Sequence, residues 1–157
     1  MRRPSLGAAA GFALIWAFLL EEGQLNYLLK SFFNQASSGD VMLRDARTIR
    51  EDTTIEKAAE LMIYLEVNHL PVVSPDDRLV GIVTSWDVAK AVARRLHDLR
   101  EITTSPVVTT TLDEPIEEAV RKMEDSEISA LPVVDGENRV LGVVTNESVS
   151  YLLTKCR

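Results

Sequence analysis

Beyond residue 40 the chain alternates between two hydrophobic rhythms. Short β-branched runs, Leu70–Val73 and Leu79–Val83, predict strands, and Ser74-Pro75-Asp76-Asp77 between them supplies the proline and aspartates that a turn favours. Ahead of them, Ile55, Ala58, Ala59, Met62 and Leu65 recur at the spacing of one helical face, and Thr53-x-x-Glu56 reads as the capping box that opens this helix. Thr48-Ile49 predicts a shorter strand before it, and a helix is expected from Ser85 to about Leu96.

The same order then returns. A second pair of runs flanks the turn Asp135-Gly136-Glu137-Asn138, and a closing helix is expected from Asn146 to about Thr154. Pro115 is placed early in the matching helix, where its missing N–H costs nothing. His97–Thr104 joins the copies. The offset is 61 residues: His69-Leu70-Pro71-Val72-Val73 becomes Ala130-Leu131-Pro132-Val133-Val134, and Gly81-Ile82-Val83-Thr84 becomes Gly142-Val143-Val144-Thr145. Asp52, Ile55, Glu56, Ala58 and Met62 match Asp113, Ile116, Glu117, Ala119 and Met123, with no gap between residues 41 and 151. A repeat present only twice predicts two halves of a pseudo-symmetric unit rather than an open solenoid.

Residues 1–40 differ in kind. Pro4–Leu20 holds no charged residue, with Arg2 and Arg3 before it and Glu21 and Glu22 after. A membrane anchor, a secretory signal and a buried or interfacial helix all fit this run; we favour the last, because the stretch is at the short limit of a span and no small-residue cleavage site follows it. Leu25, Leu28, Leu29, Phe32 and Phe33 mark the apolar face of a helix over Gly23–Gln35, read as packing on the repeats in preference to a dimerisation element. Ser37-Ser38-Gly39-Asp40 reads as a flexible joint.

Composition narrows the classes. A 46% hydrophobic share is that of a chain with a proper core, and a net charge of −7 argues against nucleic-acid backbone binding. The single cysteine, Cys156, offers no disulfide framework or zinc cluster, so a reducing, cytoplasmic setting is expected. No Ser–His–Asp set, metal-spaced cluster or glycine-rich phosphate loop is present, so an enzyme is not expected.

The tandem φ-Pro-Val-Val strand, turn and Gly-φ-Val-Thr-x-x-Asp, with Val41-Met42 and Glu51-Asp52-Thr53-Thr54-Ile55-Glu56-Lys57-Ala58 ahead of the first copy, resembles the CBS domain pair, also called the Bateman module. The resemblance implies an α+β fold of two β-α-β-β-α repeats with pseudo-two-fold symmetry: an N-terminal helical extension over 1–40, repeat one over 41–100 and repeat two over 101–157. It also implies a regulatory module, often homodimeric, that binds AMP, ADP, ATP, S-adenosylmethionine or methylthioadenosine between the repeats and reports occupancy to a partner, with no cofactor required.

A nucleoside's cis-diol offers two adjacent donors, which a carboxylate accepts; Asp87 is that carboxylate, three residues after Thr84 at a helix N-terminus fit for a 5′ anion. The family's base pocket maps onto Thr48, Ile49, Leu70 and Pro71. The matching set in repeat two is Thr109, Leu131, Pro132, Thr145 and Ser148, where serine replaces the carboxylate and a weaker site is expected. Glu147 lies about 100° around the helix from Ser148 and is a poor substitute. Thr84-x-x-Asp87 is equally the form of an ordinary helix cap, so a structural module that no longer binds nucleotide is the alternative. His69 is read as a strand residue at the site's edge, and Arg94, Arg95 and Arg100 as solvated charge. Trp86 reads equally as a stacking residue or as cover for the hairpin.

Overall fold

The computed structural model describes Ser31 and residues 35–155. The apolar run 4–20, the Leu25–Phe33 stripe and Cys156 lie outside the described residues. Among the described residues two compact units form: one from those up to Arg44 with Val108–Val133 and the stretch from Gly142 to Lys155, the other from Asp45–Val107 with Val134–Leu141. We call them the repeat-two and repeat-one units after the copy that supplies most of each. Among the described residues no helix is long and apolar enough to cross a membrane.

In the repeat-one unit, β1 (Ile49–Arg50), β2 (His69–Val73) and β3 (Leu79–Thr84) form a sheet in that order. β1 runs parallel to β2 and β2 antiparallel to β3, with a register shift between Val72 and Val73. Helices α2 (Ile55–Leu65) and α3 (Ser85–Arg94) complete the copy. The helix stripe meets the sheet in one cluster: Ile55, Ala58 and Met62 pack with Ile49, Leu70, Val72, Val83, Ala91 and Leu99. Each large side chain buried there contributes about 1.5–3 kcal/mol. The cap of α2 falls one residue later than Thr53: Thr54 is the N-cap, and its hydroxyl accepts from Lys57 N. Glu66 and Arg95 end the two helices in the left-handed region. Asp77 closes the hairpin turn in the same region.

Two further pieces close this unit. A 3₁₀ turn, Leu99–Glu101, capped by Asp98, puts Leu99 fully inside the core, so the stretch between the copies is more than a joint. Beyond it Thr104 pairs with Ile82 through both main-chain bonds. A Cβ on Gly81 would lie 2.0 Å from Thr103 Cγ2 and 3.1 Å from the Thr104 carbonyl, so that strand approaches as closely as it does only because residue 81 has no side chain. The tip of the other hairpin also docks here: Leu79 N donates to Asn138 O, and Asn138 Nδ2 donates to Leu79 O.

The repeat-two unit follows the same plan with α4 (Ile116–Asp125), paired strands β4 (Ala130–Val134) and β5 (Val140–Thr145), and α5 (Asn146–Lys155). Pro115 is the N-cap of α4 rather than a residue inside it. The counterpart of β1 shrinks to one parallel bridge between Thr110 and Val133. Its arm comes from before repeat one. The short helix α1 (Ser38–Val41) is tied by Ser38 N to Glu114 O and Gly39 N to Leu112 O, and Leu43 pairs with Val143. Ser37–Asp40 is therefore no flexible joint: Ser37 N and Oγ both donate to Asp40, and Ser38 is fully buried. Those two bonds, with Arg44 nearby, hold the Asp40 carboxyl below its ordinary pKa. Small polar residues read as a linker until packing supplies partners for them. A Cβ on Gly142 would meet Met42 Sδ at 2.7 Å and Leu43 O at 2.9 Å, the counterpart of the approach at Gly81.

Candidate functional site

In the repeat-one unit the β2–β3 register sets His69 opposite Thr84 and Leu70 opposite Val83, while Ile49 lies beside Val72. Strand pairing thus gathers Ile49, Leu70, Pro71 and Thr84 on one three-stranded sheet. Thr48 is exposed just before β1; Ile49, Leu70 and Pro71 are buried, the first two with their side chains in the core cluster.

Thr84 is the last residue of β3 and the N-cap of α3. Its hydroxyl accepts from Asp87 N at 3.1 Å, while Asp87 Oδ2 accepts from Thr84 N at 2.9 Å and Thr84 Oγ1 at 2.7 Å. The expected cap is therefore present in full. Asp87 is buried, 8% exposed, and its other oxygen faces a partner the sequence reading did not single out. Lys90 Nζ lies 2.7 Å from Asp87 Oδ1. The signal was there, since an acid and a lysine three apart on a helix meet on one face. The consequence is specific: Oδ2 has both lone pairs engaged by Thr84, so any donor arriving from outside must use Oδ1.

Trp86 is 70% exposed and does not cover the hairpin. His97 stands 3.9 Å from Glu56, and Arg100 the same distance from Glu51, both on the surface.

The matching positions in the repeat-two unit are filled differently. Thr145 and Ser148 make a box of their own: Ser148 Oγ accepts from Thr145 N at 3.0 Å and donates to Thr145 O at 2.9 Å, and Ser148 N donates to Thr145 Oγ1. Leu131 and Pro132 are buried in β4. The main-chain oxygen of Thr109 is already taken by Lys122 Nζ at 3.1 Å. Lys122 also binds both oxygens of Glu114, at 2.6 and 2.9 Å, and Glu114 accepts from Thr110 Oγ1. Thr110 in turn shares a 2.9 Å hydrogen bond with Ser38 Oγ. Sequence reasoning missed this polar chain because its members are far apart in order. Aligning the copies exposes it, since Thr110, Lys122 and Glu114 stand where repeat one has Ile49, Leu61 and Thr53.

Comparison with known proteins agrees with this plan. The CBS domain family model matches residues 39–94 and 99–154. The solved CBS domain pair of protein MJ0100, in complex with 5′-methylthioadenosine and S-adenosyl-L-methionine, is 38% identical with a TM-score of 0.75, over 78% of this chain and 98% of that one. Among curated relatives, homoserine O-acetyltransferases of Methanohalobium evestigatum and Methanosarcina acetivorans are 50% and 52% identical over 137 and 139 residues. These matches take in 87% and 88% of this chain but only 28% and 26% of the relatives, so the chain spans about a quarter of their length. With two family matches along one chain and the fold of a solved pair, this protein belongs to the CBS domain family.

Proposed function

We propose that the chain is a regulatory module that binds an adenosine-containing ligand at a site built on Thr84 and Asp87, with Thr48, Ile49, Leu70 and Pro71 forming the base pocket, and that Thr109, Leu131, Pro132, Thr145 and Ser148 form a weaker one. The observation that carries the reading is the buried Asp87 carboxylate at the α3 N-terminus, in a chain 38% identical to a CBS pair solved with two adenosine ligands. The helix dipole there favours an anion and the carboxylate favours a diol.

The proposed partner is a homoserine O-acetyltransferase. The match to those relatives is longer than the 119 residues from Gly39 to Arg157, so it reaches into the segment that precedes the repeats. Chemistry supports the pairing. Acylating homoserine turns its γ-hydroxyl into a leaving group, and the sulfonium of S-adenosylmethionine is attached at the γ-carbon of the same four-carbon amino acid. A sensor of that nucleoside would report on a later product of the acylated intermediate. The chain itself is given no catalytic role. Exposed Ile63, Tyr64, Trp86 and Val92 on α2 and α3 support a homodimer, and sedimentation at two concentrations tests it.

One observation favours the alternative of a structural module: both Asp87 oxygens already have partners without any ligand. Calorimetric titration of the full chain with S-adenosylmethionine, methylthioadenosine, AMP and ATP separates the two. Saturable binding near one ligand per chain, lost in Asp87→Ala, is expected. No binding by any of the four sinks the sensor and leaves the structural module.

A further inference from the structure

The pair Asp87–Lys90 in repeat one becomes Ser148–Tyr151 in repeat two, so the two caps differ by a carboxylate and an ammonium together. Lys90 Nζ sits 2.7 Å from Asp87 Oδ1, the one carboxylate oxygen that Thr84 leaves open. Its side chain is one-third exposed, against 12% for Asp87, so the ammonium lies at the solvent side of the pair. A diol donating to Oδ1 must share that oxygen with Lys90 or displace it. The lysine stem is long and flexible, so a displaced ammonium stays within reach of whatever the ligand carries beyond its ribose.

Resting on the sensor reading above, we propose that Lys90 is the specificity-determining residue of this site: it exchanges Asp87 for an anionic group on the ligand. The site selects adenosine ligands that bear an anion beyond the 5′ carbon over neutral ones. That anion is the carboxylate of the aminobutyrate chain in S-adenosylmethionine or the phosphate of AMP. Methylthioadenosine has the same base and diol but no anion. The helix dipole adds to the preference with the same sign of charge, although Ser85 N and Asp87 N already donate to Asn68 O and Thr84 Oγ1. The repeat-two cap, with neither charge, has no such preference.

The test is calorimetric titration of the full chain and of Lys90→Gln and Lys90→Arg with S-adenosylmethionine, AMP and methylthioadenosine. Affinity for at least one of the two anion-bearing ligands is expected to fall five- to tenfold in Lys90→Gln and to recover in Lys90→Arg, with methylthioadenosine unchanged or bound more tightly, since its diol no longer has to displace the lysine. Whether S-adenosylmethionine or AMP suffers the larger loss identifies the anion. Equal losses for all three ligands would show a structural role for Lys90 and overturn the proposal, as would no loss for any. If the unaltered chain binds none of them, the sensor reading fails, and the role of Lys90 with it.

Discussion

The two units close the same architecture with opposite chemistry. Where the repeat-one unit buries Ile49 and Leu99 with Leu61 packed against them, the equivalent places in the repeat-two unit hold Thr110, Ser38 and Lys122. An apolar trio has become a polar chain, completed by Glu114 where the first copy has Thr53. Charge at the helix caps is distributed the other way. Repeat one keeps Asp87 and Lys90 at the start of α3, and repeat two has an uncharged box of Thr145 and Ser148. One copy thus holds its charges at the proposed ligand site, while the other uses them to fasten its own arm. In repeat two that use also takes the carbonyl of Thr109, a residue of the proposed weaker site.

The sharpest way to break the comparison is at the point where the units agree. Gly81→Val and Gly142→Val should each force an arm out of place and cost roughly 3 kcal/mol in thermal unfolding. Gly81→Val should cost at least as much. Its obstacle, the Thr103 methyl, is pinned because Thr103 Oγ1 donates to Leu99 O at 2.8 Å, whereas part of the obstacle at Gly142 is a yielding methionine. A loss under about 1 kcal/mol at either glycine would mean that the arm there is not docked. Both arms matter to any binding experiment, and a chain begun at residue 41 would omit buried Ala36 and Ser38.

A smaller effect tests whether the polar chain in repeat two stabilises or only substitutes. Glu114→Ala leaves the Lys122 ammonium on the Thr109 carbonyl without its carboxylate and removes an acceptor from Thr110; with both ionic groups partly exposed the expected cost is about 2 kcal/mol in urea unfolding. The combined change Ser38→Leu, Thr110→Ile, Glu114→Thr and Lys122→Leu writes repeat one into repeat two. Replacing a partly buried ionic network by packed apolar residues is often neutral or stabilising by about 1–4 kcal/mol, and that outcome is expected here. If the fourfold variant loses as much as Glu114→Ala alone, the polar chain is needed for the packing itself.

What could be read from the chain follows from range. The strands, the turns and the helical stripe of α2 depend on neighbours a few residues away, and the tandem register delivered the family resemblance. The cap at Thr54 rather than Thr53 and the position of Pro115 are one-residue shifts at helix ends, where adjacent threonines or a proline compete for the same role. The arms were not legible. A gapless repeat invites each copy to be folded from its own contiguous stretch, and nothing local says that Leu43 pairs with Val143 or Thr104 with Ile82. The glycines at 81 and 142 were the available hint, since each lies inside a strand where a missing side chain signals close approach. At the proposed site, the Thr84–Asp87 cap was legible as a motif, and Lys90 was passed over because a D-x-x-K spacing is common on solvated helices.

The mildest change asks which difference would weaken the proposed second site. If the missing carboxylate alone is responsible, Ser148→Asp should restore it, and a titration would then find a second ligand per chain. The structure argues otherwise. An aspartate at 148 can take over the bond from Thr145 N and should add up to about 1 kcal/mol of helix stability, since a negative charge in the first turn complements the dipole of α5. It leaves Lys122 on the Thr109 carbonyl and Tyr151 where repeat one has Lys90. Ser148→Asp is therefore expected to raise the melting temperature slightly without adding a ligand, and Ser148→Asp with Lys122→Leu to show second-site binding. A second equivalent in the single variant would return the whole difference between the copies to one carboxylate.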